Sequence, residues 1–108
     1  MRQATETLSL TVPQEVHAFA AEQGVAPYLP AVLEMTLRRF PDARRMAMLV
    51  EEDPEIANDR HIVIEIDLTG ITPEEYVERH WQWGHELFQI CPAPLICVFR
   101  LSLSIIDS

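Results

Sequence analysis

Lysine does not occur in this chain. All eight basic residues are arginine, and they stand against seventeen acids for a net charge of −9. So acidic a surface repels phosphate backbones, which excludes a general nucleic-acid binder unless the few arginines cluster. A basic or cationic partner suits it better. Cysteine is nearly as scarce. Cys91 and Cys97 flank the Pro92-Ala93-Pro94 turn with a spacing unlike CxxC, and no third cysteine completes a zinc site. In a reducing compartment both read as buried thiols. There are only three glycines, and no P-loop, G-x-G-x-x-G, G-x-S-x-G or H-E-x-x-H motif occurs. No apolar run approaches the about 20 residues that span a bilayer. The opening MRQATETLSL lacks the apolar core of a signal peptide. A soluble, cytoplasmic protein is expected, with no cofactor and no metal.

What is present is globular. At 108 residues, with 48% hydrophobic and 23% charged residues, the chain can bury one core and is too short for two. A single α+β domain over 1–108 is therefore expected. It is organised around residues 44–68, two apolar runs joined by a segment crowded with acids. The first run, 45–51, is apolar on both faces, as befits a strand covered on each side. The second, 61–68, alternates: Ile62, Ile64, Ile66 and Leu68 go to the core, and His61, Val63, Glu65 and Asp67 share the other face. A slip of one residue would bury two carboxylates, so the register is specified.

Before the hairpin, Leu8, Leu10 and Val12 alternate with Thr7, Ser9 and Thr11, which predicts a strand over 6–12. Pro13 suits a helix start and Gly24 a helix stop, with Val16, Phe19 and Ala20 as the buried positions between them. A second helix from Leu29 or Pro30 to Pro41 carries Leu29, Leu33, Thr36, Leu37 and Phe40 in one stripe, with Glu34 and Met35 off it. After the hairpin, Thr72-Pro73-Glu74-Glu75 is a capping box that starts a helix running to about Ile90. Its expected core stripe is Val77, Trp81, Gly84, Leu87 or Phe88, and Cys91. Glu75 and Arg79 are spaced for a surface ion pair. Gly84, costly inside a helix, points to close approach of the sheet or another helix. Residues 95–105 alternate as a final strand. With the two N-terminal helices counted as one broken crossover, the order is βαββαβ. This predicts a two-layer, ferredoxin-like fold: a four-stranded antiparallel sheet, with helices on one face and the first and third strands central.

Three groups of residues bear on chemistry. His61, Glu65 and Asp67 leave one face of one strand, and Arg100 shares that face of the sheet. Side chains at alternate strand positions converge there, so the set suits a divalent ion or general acid–base work, and equally a solvated or dimer surface. His80 and His85 are five apart, on different faces of their helix, where a zinc pair needs three or four. Tyr76, His80 and Trp83 form a second face of that helix, suited to a partner subunit or another helix. The acidic connection with Glu52, Asp53 and Glu55 lacks the glycine of a calcium loop, and suits a structural turn or a basic partner.

The segment EEDPEIANDRHIVIEIDLTG, the tryptophan-bearing helix and the ending PAPLICVFRLSL resemble a family of small uncharacterised bacterial proteins with an acidic D-P-E segment between two strands. The resemblance implies no activity and maps no functional residues. The chemistry points first to a small acidic interaction protein, oligomeric as a homodimer or antitoxin-like toward a basic protein. The alternative is a small metal-dependent or acid–base enzyme using the open sheet face.

Overall fold

Prolines and glycines set where the elements begin and end. A computed structural model describes residues 12–52, 54–56 and 59–106. The strand expected over 6–12 therefore lies outside the described residues, apart from Val12. Helix α1 spans Gln14–Gln23. It stops at Gly24, which takes the left-handed conformation at φ 76° and lets Gly24 and Val25 donate back to Ala21 and Ala20. These two bonds satisfy carbonyls that the helix end would otherwise orphan. A single 3₁₀ turn, Ala26–Tyr28, leads into α2, Leu29–Arg39. Arg38 and Arg39 occupy its last turn, where cations complement the helix dipole.

Strands β1, Arg45–Glu52, and β2, Arg60–Leu68, form the expected antiparallel hairpin, with Glu51 opposite His61 and Met48 opposite Ile64. Helix α3, Pro73–Ile90, starts on its capping box: the Thr72 hydroxyl accepts from the Glu75 N–H at 3.1 Å, and the Glu75 carboxylate accepts from the Thr72 N–H at 2.8 Å. Strand β3, Phe99–Ile105, then returns alongside β2 in parallel. Parallel neighbours need a crossover connection, and α3 supplies it.

The sheet is thus mixed, three-stranded and ordered β1-β2-β3 among the described residues. That overturns the four-stranded antiparallel, ferredoxin-like expectation, although the α+β class stands. In the expected arrangement the last strand would pair with the first; here Ile62, Ile64 and Ile66 stand directly beside Phe99, Leu101 and Leu103. The final strand is also shorter than expected. Residues 93–98 form a 3₁₀ turn in which the Leu95 N–H donates to the Pro92 carbonyl at 2.9 Å. Pro92 and Pro94 have no N–H to give a ladder, so alternation before Phe99 misleads.

The helices cover one face of the sheet. Val16, Phe19, Val32, Met35 and Phe40 from α1, α2 and the turn after it meet Met48, Ile62, Ile64, Ile66, Phe99 and Leu101 in one core. Met35 is fully buried, contrary to its expected place off the α2 stripe, whereas Leu33 and Leu37 are half-buried. Fully burying side chains such as Ile62, Ile64 and Ile66 contributes about 2 kcal/mol each. Trp83 joins them: it is 3% exposed, and its indole N–H donates to the Thr36 hydroxyl at 2.9 Å. The hydroxyl in turn donates to the Val32 carbonyl at 2.7 Å. The two hydrogen bonds tie α3 to α2 inside the core.

Candidate functional site

The first candidate face, opposite the helices, is organised by the hairpin register. His61 is 4% exposed, far from the outward position expected for it. Its Nε2 lies 3.4 Å from a Glu51 carboxylate oxygen directly across the strands, and its buried Nδ1 has no hydrogen-bond partner. Glu65 and Asp67 do not turn toward it. Both engage Arg45 on the neighbouring strand, Asp67 accepting from Nε at 2.8 Å and Glu65 from a terminal nitrogen at 3.3 Å. These contacts raise the Arg45 pKa further, the hydrogen bond to Asp67 contributing most. Arg100, beside Val63 in the register, reaches instead to Asp59 at 3.4 Å. The four sequence candidates are therefore split among three separate pairings. No group of three or more His, Cys, Asp or Glu side chains placed to hold a metal ion occurs among the described residues.

A second charged cluster joins α2 to α3. Glu86 accepts from Arg38 at 2.6 Å and from Arg39 at 2.8 Å. Arg79 forks onto both carboxylate oxygens of Asp42, at 2.7 and 3.0 Å, and also donates to the Arg39 carbonyl. Arg79 is thus taken by Asp42, while Glu75, its expected partner, serves the helix cap. The hydrogen bond from Arg38 holds the Glu86 carboxyl below its usual range, and that from Arg79 does the same for Asp42; in both, burial opposes the shift. With two carboxylates committed to three guanidiniums, the cluster is a clamp between helices.

The outward face of α3 is different in kind. Val77, Trp81 and Phe88 are 65%, 63% and 59% exposed, and with Gly84 they form one continuous stripe. The sequence placed this stripe in the core and Trp83 on the outer face; the structure reverses the two. Both stripes are apolar and helically spaced, so periodicity finds them equally well. In the fold Trp83 packs inward with Leu87, and the buried Thr36 hydroxyl satisfies its indole N–H. Leu87 and Cys91, also expected in the core, are buried there; burial pushes the Cys91 thiol pKa up. The side chain of Cys97 lies outside the described residues.

Of the other side chains expected to meet a partner, Tyr76 is half-buried and stacks on exposed His80 at 6.4 Å between ring centroids. His80 Nε2 sits 3.3 Å from the Leu101 carbonyl, which anchors the ring to β3. Glu52 and Glu55 are exposed on the hairpin, and Asp53 lies outside the described residues. Beside the stripe, an apolar depression of about 450 Å³ opens between α3 and the segment entering β3, with Gly84, Leu87, Phe88, Ile96 and Phe99 in its walls. Trp81 stands at its rim, stacked on His85 at 5.2 Å and 11°. The signal in the sequence was the existence of two apolar stripes on one helix: a domain this small has interior for one of them.

No family model, no curated protein and no solved structure matches this chain.

Proposed function

We propose that this chain is a protein-interaction module that docks through the outward face of α3. The observation that carries the reading is the exposure of Val77, Trp81 and Phe88 on one side of one helix. Scattered apolar residues on a surface are ordinary, whereas a contiguous apolar stripe beside a concave apolar wall is what protein contacts bury. Tryptophan and its aromatic neighbours dominate such contacts because they bury much area for few rotatable bonds. Catalysis on the sheet face has weaker support, since the acids there serve as counter-ions to Arg45. A cytoplasmic setting, in which Cys91 stays a thiol, belongs to the same reading. No described helix is long and apolar enough to cross a membrane.

The test is a photo-crosslinking amino acid placed at position 81 in cells of the native host, with position 102 on the opposite sheet face as control. Adducts at 81 and none at 102 are expected. Absence of any adduct at 81 would remove the docking role of this face.

A further inference from the structure

The identity of the occupant can be argued from the stripe itself, and the inference rests on the docking reading. The spacing of the stripe is the same in both directions: four residues from Val77 to Trp81, three to Gly84 and four to Phe88. We infer that the occupant is a second copy of this chain, its α3 laid antiparallel on the first about a two-fold axis. In that register every position finds its match at once. Val77 meets the partner's Phe88, and Trp81 meets the partner's Gly84.

Gly84 gains an explanation it otherwise lacks. Glycine is among the least favourable residues inside a helix, and no atom of a neighbouring element stands within 4 Å of where its Cβ would be. The chain's own packing, which the sequence suggested as the cause, does not need it. A partner side chain does. The depression of about 450 Å³ beside Gly84 is walled by Leu87, Phe88, Ile96 and Phe99, which suits an indole ring. Trp81 is already stacked on His85, so the ring that would enter the partner's depression loses little freedom on docking.

Size chooses between the two possible directions, because parallel packing would stack Trp81 on the partner's Trp81 and set Gly84 against Gly84. Glu74, Glu78, His85 and Gln89 form the exposed polar flank of the stripe, and the two-fold axis of an antiparallel pair, perpendicular to the helices, sets the same flank of each helix together. Antiparallel packing places Glu78 near the partner's His85 and Glu74 near the partner's Gln89. In parallel packing each flank would meet the opposite flank of the partner, so Glu78 would not reach the partner's His85.

Sedimentation equilibrium over about a hundredfold range of concentration tests the proposal. The native chain is expected to be dimeric, and Trp81→Ala to weaken the dimer about thirtyfold or more with an unchanged circular-dichroism spectrum. Gly84→Leu, whose Cβ meets open space in the single chain, should weaken it at least about tenfold. Glu78→Arg should weaken the dimer and His85→Glu added to it should restore affinity. A double variant that binds no tighter than Glu78→Arg alone would overturn the antiparallel register, and native affinity in Gly84→Leu would overturn the Gly84 contact. A chain that is monomeric throughout would overturn the second copy as occupant. The interaction reading would then stand or fall separately on whether position 81 crosslinks to a different protein.

Discussion

At the scale of single residues, Thr36 supplies the buried polar partner that the inward orientation of α3 requires. Its hydroxyl accepts from Trp83 and donates to Val32, all within the core. Thr36→Val keeps the shape and leaves the indole N–H buried without an acceptor, which costs about 1–3 kcal/mol. Urea unfolding should show that loss, and Thr36→Ser should recover most of it. Gly84 presents the opposite case, a residue unfavourable to its own helix. In a Trp81→Ala background, which removes the inferred dimer contact, Gly84→Ala should stabilise the chain by about 1 kcal/mol. A destabilised Gly84→Ala, measured by the same unfolding, would mean that the chain's own fold requires the glycine.

At the scale of elements, the joint between α2 and α3 depends on pH. The carboxyls of Asp42 and Glu86 are held below their ordinary values, 3.8 and 4.5, by hydrogen bonds from Arg79 and Arg38. The unfolded chain therefore binds protons before the folded chain does as pH falls. The stabilisation is fully present above the ordinary carboxyl values, begins to decline below about 4.5, and is gone once pH passes below the depressed values. Both clusters are partly solvated, so the contribution is modest. Thermal unfolding across pH 2–7 should show stability falling on the acid side, and Asp42→Asn should lessen that fall slightly while lowering stability at neutral pH. The hairpin is firmer. Its register was legible in the alternation of Ile62, Ile64, Ile66 and Leu68 because a one-residue slip would exchange these for His61, Glu65 and Asp67.

At the scale of the whole molecule, net charge and local contacts oppose each other. Two copies each carrying −9 repel at long range, and salt screens that repulsion: the Debye length is about 30 Å at 0.01 M and about 8 Å at 0.15 M. The inferred dimer should therefore tighten as salt rises between those values, in sedimentation or light scattering. A basic partner would bind more weakly over the same range, so the sign of the salt effect distinguishes the two occupants.

The sequence by itself determined the three helices after residue 12 and the hairpin with its core face: proline and glycine act on their own φ angles, capping boxes close within four residues, and strand alternation is local, although it misled before Phe99. It also revealed both apolar stripes on α3 and the oddity of Gly84. Tertiary structure alone decided which stripe faces inward, because that depends on partners distant in sequence, such as Thr36, 47 residues from Trp83. It likewise decided that β3 lies beside β2, since strand neighbours are chosen by how α3 crosses the sheet. The sheet-face candidates share one face by parity, yet parity carries no information on burial or partners, and His61 is buried there. Arg45 sits across the ladder from Asp67, and that long-range pairing made counter-ions of Glu65 and Asp67. The exposed stripe became the best candidate site for the same reason: one small core accommodates Trp83 and leaves Trp81 outside.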